Sequence, residues 1–98
     1  MVELTLDYVT QKIVCNNTTY NLNYPLRCLY AQENDYYIIQ SEILDIMGTG
    51  LTVEETISSF AQEFDFIYKR YNELPNEKLS TRLQAIKNIL NYLVINAH

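Results

Sequence analysis

The chain is 98 residues long, 48% hydrophobic and 12% aromatic, with a formal net charge of −5. That size suits one domain spanning residues 1–98, since a chain this short buries roughly two-thirds of its unfolded surface around a single core. An excess of acids is a poor match to nucleic acid, whose binders present a net positive face, so nucleic acid is not expected as a partner.

The chain opens Met-Val-Glu-Leu, without a basic start or a long apolar run. Neither a signal peptide nor a membrane span is expected, and the protein reads as cytoplasmic. In that compartment Cys15 and Cys28, on separate predicted strands, are expected to be buried free thiols rather than a disulfide. The charge is unevenly laid out. Residues 1–68 hold ten acids against Lys12 and Arg27, a body of −8, whereas residues 69–98 hold five bases against Glu73 and Glu77, a tail of +3. An acidic body favours a small basic protein as partner.

In chain order, Val2, Leu4, Leu6 and Tyr8 alternate with Glu3, Thr5 and Asp7, the period-two pattern of a strand with one buried face. Thr10 and Gln11 read as a short turn, with a second strand over Lys12 to Cys15. Asn16-Asn17 follow as a turn pair, because asparagine tolerates positive φ. Thr18 to Tyr24 alternates again until Pro25, which has no amide to donate to a ladder. Leu26 to Gln32 and Tyr36 to Ser41 flank the polar tip Glu33-Asn34-Asp35 and read as a hairpin. Short connections among these segments, all within residues 2–41, predict an antiparallel meander rather than a parallel sheet. Leu44 and Ile46 read as a short extended piece or turn before Gly48 and Gly50.

The stretch Met47 to Asn72 organises the rest. Thr52 with Glu55 forms a capping box, and Glu54 and Glu55 place negative charge at the positive end of a helix. Val53, Ile57, Phe60, Phe64, Ile67 and Tyr71 recur at steps of three and four, which predicts an amphipathic helix over 52–72 that covers the sheet. Pro75 stops it. A second helix is expected over 81–97, opened at Ser80 or Thr81 with Gln84 completing a possible box, and striped by Leu83, Ile86, Leu90, Leu93, Val94 and Ala97. The fold class is therefore α+β: an antiparallel β-meander under a long helix, with a second C-terminal helix.

Few residues point to chemistry. His98 is the only histidine and stands last, where a terminus frays, and the cysteine spacing fits no zinc site. Glu54, Glu55 and Asp45 form an imaginable carboxylate group, but capping already accounts for the glutamates. Gly48 and Gly50 before a helix superficially resemble a phosphate cradle, without the lysine such a cradle needs. No enzyme activity and no cofactor are expected. The candidate interface residues are aromatic or apolar positions that the patterns leave outside. Tyr36 and Tyr37 point to opposite faces of one strand, and Phe66 lies about 140° from the centre of its helix's stripe at about 100° per residue. Tyr92 and Ile95 are displaced from the stripe of the second helix in the same way. Such residues suggest a homodimer or a partner contact. Nine tyrosines also leave open a structural or ligand-binding domain, with a tyrosine-rich sheet surface taking a small molecule or nucleic acid.

Tyr36-Tyr37-Ile38-Ile39, then Leu44, Gly48, Gly50, Thr52-Val53-Glu54-Glu55-Thr56 and Phe60, resemble the HicB-type antitoxins and their stand-alone relatives. In those proteins a strand is followed by a leucine, a glycine and a Thr-x-Glu-Glu-Ala helix opening. The resemblance spans roughly Leu26 to Tyr71, with Thr56 in place of the alanine and Glu42 or Ile43 where many members carry proline. It implies a sheet of three or more strands against a helix and a role in clamping a small basic RNA-cleaving toxin. The family's usual DNA-binding region is not implied, because Leu79 to His98 offers one helix and cannot build a helix-turn-helix or ribbon-helix-helix unaided.

Overall fold

The computed structural model describes residues 2–98, and side chains from residue 6 onward. The side-chain alternation expected from Val2 to Thr5 lies outside the described residues. Strands β1 (Val2–Cys15), β2 (Thr18–Glu33), β3 (Tyr36–Ser41) and β4 (Ile46–Gly50) form an antiparallel meander in chain order. Helix α1 (Val53–Glu73) follows, then a 3-10 turn at Asn76–Lys78, helix α2 (Thr81–Leu93) and a last strand, β5 (Val94–Ala97), that returns to pair with β2. This is the expected α+β class, with differences in how the strands are cut.

Thr10 and Gln11 do not turn the chain. β1 runs through them with a shift in register, from Thr10 opposite Leu26 to Lys12 opposite Asn21, and Pro25 sits in the stretch of β2 that this shift leaves unpaired with β1. Proline is tolerated there because no ladder amide is required of it. Four expected segments thus become two long bent strands. Asn16 and Asn34, both at φ 54°, make the first two hairpin connections, as asparagine allows.

Strands are not confined to residues 2–41. Ile46–Gly50 pairs with β3 from Ser41 opposite Ile46 to Tyr37 opposite Gly50. The two glycines are needed for closeness. A Cβ on Gly48 would lie 2.3 Å from Phe60 N, and one on Gly50 would lie 2.7 Å from Thr56 N, so α1 crosses β4 backbone against backbone. Neither glycine has positive φ. The likeness to a phosphate cradle therefore has a packing explanation.

α1 matches its expected span to within a residue at each end, and the Thr52 hydroxyl accepts from Glu55 N at 3.1 Å. Phe60, Phe64 and Ile67 enter one core with Ile39, Leu44, Ile46, Tyr20, Leu22 and Leu90. The second helix is shorter than expected. Ser80, not Thr81, caps it by accepting from Leu83 N at 3.2 Å, while the Gln84 side chain donates to the Asn76 and Leu79 carbonyls instead of closing a box. It ends at Leu93, and Val94–Ala97 pairs with Tyr20–Leu22. β-branched Val94 and Ile95 favour that extended state, and the free edge of β2 supplies the hydrogen bonds. His98 does not fray: its N–H and carbonyl both bond to Thr19, at 2.9 and 2.8 Å.

Candidate functional site

Register decides which side chains share a face, because directly paired residues in an antiparallel sheet point the same way. Ile39 and Gly48 face α1, and so does Tyr30, which pairs with Ile39. The other face carries the rows Asp7–Leu29–Gln40–Met47 and Ala31–Ile38–Thr49, with Val9 beside Arg27. Val9, Leu29, Ala31, Ile38 and Met47 thus make an apolar diagonal across the face that no helix covers. Val9, Leu29 and Met47 are exposed, whereas Ala31 is small and shielded by its neighbours.

A shallow depression of about 290 Å³ opens on this face between Asp7, Arg27, Leu29, Gln40, Glu42 and Ile43. Arg27 Nη1 and Asp7 Oδ2 pair at 2.9 Å across its floor. Both partners are mostly exposed, so the pair contributes little to stability and chiefly fixes two side chains. Ile43, 64% exposed at the rim, lies in the Glu42–Asp45 turn, which is set by Leu44 N donating to Ser41 Oγ and by Asp45 at φ 58°. Arg82, near the start of α2, reaches that Asp45 at 3.1 Å. The depression therefore combines the apolar side chains of Leu29 and Ile43 with the carboxylates of Asp7 and Glu42, and its one arginine is already paired with Asp7. Cys28 borders it from within the strand; burial pushes its thiol up to about 11.

The tyrosines are dispersed rather than assembled into a platform. Tyr20 is buried, its ring packs on Phe64 and Tyr68 at 5.3 and 5.1 Å, and its hydroxyl donates to Asp65 Oδ1 at 2.5 Å. Burial and the neighbouring Asp65 raise the Tyr20 pKa, and Asp65 is held in turn by Lys69 at 3.1 Å. Tyr30 and Tyr37 meet edge to face at 6.0 Å near the opening of α1, where burial, Tyr37 and Glu54 raise the Tyr30 pKa. A carboxylate there opposes a phosphate backbone.

The five residues singled out from sequence do not form one surface. Tyr36 and Tyr37 are both half-buried near the β2–β3 hairpin. Phe66 is 61% exposed on the outer side of α1, beside a groove that it lines with Asp65, Lys69, Arg70 and Glu73; α2 does not cover it. Tyr92 is exposed on α2, with its ring 5.9 Å from that of Tyr24 on β2. Ile95 is exposed too, but on β5 rather than on a helix, at the position the β2 pairing skips. The apolar diagonal was missed, although Val9, Leu29 and Met47 stand in strand-like stretches; no periodicity tells which face a helix will cover.

Among the described residues no three His, Cys, Asp or Glu side chains are grouped to hold a metal, and no helix is long and apolar enough to cross a membrane. Cys15 and Cys28 are both free and buried. Comparison of the chain with protein-family models, with curated proteins and with solved structures gives no match.

Proposed function

We propose that the protein is a non-enzymatic protein-binding module of the HicB-like antitoxin kind, which works as a dimer and holds a small basic partner on the open face of its sheet. The observation that carries this reading is the Val9–Leu29–Ala31–Ile38–Met47 diagonal, left bare where the opposite face is sealed by α1 and bordered by Asp7 and Glu42. Apolar surface supplies affinity, and the surrounding negative field of a −5 chain steers a cationic partner and rejects acidic ones. The HicB-like resemblance of Tyr36 to Phe60 adds the class of partner, a small basic toxin-like protein.

The test is affinity capture from the native lysate with the tagged chain at low and then raised salt. A small basic protein is expected at low salt, lost as salt screens the contact, and lost equally with Leu29→Asp or Met47→Asp while Phe66→Glu retains it. Capture that ignores salt and both open-face substitutions would defeat the reading. The competing reading, a tyrosine-rich surface for a small molecule or single-stranded nucleic acid, has less support because Tyr20 and Tyr68 pack into or against the core and Tyr30 sits beside Glu54.

A further inference from the structure

The outer strands of the sheet end in different ways. β4 lies under α1: the Thr49 N–H donates to Ser59 Oγ at 3.2 Å, and Gly48 and Gly50 bring strand and helix backbones together. β5 has four residues and an irregularity at Ile95. β1 has fourteen residues and pairs with β2 along one side; no other described strand pairs with it. A long edge in that state is a template for another strand.

Strands that must stay unpaired are usually guarded by charge, proline or a bulge. β1 has little such protection. Between Leu6 and Val14 its charged residues are Asp7 and Lys12, and Asp7 is already turned to Arg27. The irregularity at Thr10 to Lys12 guards only itself, since Thr10 Oγ1 accepts from Lys12 N at 3.3 Å and donates to the Lys12 carbonyl at 2.7 Å. Before it, Leu6 and Val9 are 52% and 46% exposed.

The sparse charge selects the occupant. A basic protein finds little on this edge to pair with, whereas two copies of a −5 chain can approach only where like charges do not meet. A strand paired antiparallel with its own copy is also two-fold symmetric, so association closes at two chains. A two-fold axis at Asp7 would set carboxylate against carboxylate. One at Tyr8 sets Asp7 opposite Val9 of the second copy and Leu6 opposite Thr10, on matching faces.

The geometry points to β1 as a homodimer interface, with the Leu6–Thr10 segments of two copies paired antiparallel about Tyr8 so that the two sheets join edge to edge. This rests on the dimer half of the reading above and not on its basic partner. The experiment is sedimentation equilibrium over a range of concentrations, with circular dichroism to confirm folding. The wild type is expected at twice its 11.5 kDa mass. Val9→Asp, which places a carboxylate opposite Asp7 twice by symmetry, should weaken the dimer at least about tenfold. Val9→Thr, which keeps a β-branched side chain and adds no charge beside Asp7 or Arg27, should not, and Phe66→Glu should remain dimeric. In the wild type, amide exchange across residues 6–10 should slow as concentration rises. A wild type that is monomeric throughout overturns both the dimer reading and this interface. A dimer indifferent to Val9→Asp, weakened equally by Val9→Thr, or dissociated by Phe66→Glu overturns the β1 assignment and leaves the dimer reading standing.

Discussion

β4 and β1 bound the same run of four strands, yet one is closed and the other open. At β4 the chain gives up two side chains, Gly48 and Gly50, and gains a helix laid directly on the strand, with the Thr49 amide satisfied by Ser59. At β1 the side chains are kept, and their exposed apolar atoms and unpaired backbone stand ready for a strand from outside. The contrast teaches that small residues at one edge and plain ones at the other can be two solutions to the same problem. One closes the sheet within the chain, and the other, in the dimer proposed above, would close it between chains.

The contrast is broken most severely at Gly48. Gly48→Val places branched carbons where a Cβ alone already meets Phe60 N, and it should destabilise by about 3 kcal/mol or more, the upper range for overpacking, as measured by urea unfolding. Phe66→Glu in the same assay should cost less than about 0.5 kcal/mol, because that side chain is turned to solvent. Between these lies Tyr20→Phe, which strips a donor from the largely buried Asp65 carboxylate; roughly 1–2 kcal/mol is expected, less than a fully buried charge would lose because Lys69 remains. Thr52→Ala, which unties the Glu55 N–H at the start of the helix sealing β4, should cost about 1 kcal/mol.

A further effect is one of pH. The Cys28 thiol titrates near 9.0 when exposed and about 11 in the fold, so the fold favours its neutral form. The stability this contributes is fully present below pH 9 and is lost as pH rises toward 11. Unfolding midpoints for the wild type and Cys28→Ala, compared at neutral and alkaline pH, should converge as pH rises. Val9→Asp should show the open edge by contrast: little change in stability, but a change in mass.

α1 was legible because one local pattern carried it: an apolar stripe at steps of three and four, a cap at Thr52 and a proline after Leu74. The hairpins were legible from asparagine chemistry at Asn16 and Asn34. The remaining strand boundaries were decided at a distance. Thr10-Gln11 has the composition of a turn but becomes a bulge because β2 continues opposite it. Ile46-Met47-Gly48-Thr49-Gly50 looks too glycine-rich for a strand until a helix needs to cross it closely. Val94 and Ala97 extend the helical stripe of Leu90 and Leu93, and only the waiting edge of β2 pulls them out of it. For the candidate site, the acidic bias and the exposure of Phe66 could be read from sequence. The apolar diagonal could not, since it exists only once five residues from four strands are in register.

The return of β5 to β2 also sets an order of events. Asn21 and Asn96, 75 residues apart, hydrogen-bond at 2.7 Å, and Thr19 is held by both backbone groups of His98. During synthesis β1 to β4 and α1 can assemble as they emerge, whereas the first third of β2 must wait with one edge bare until residues 94–98 have left the ribosome. Closing so long a loop is slow compared with forming hairpins, so the last strand is the step at which a young chain is most open to pairing with the wrong neighbour.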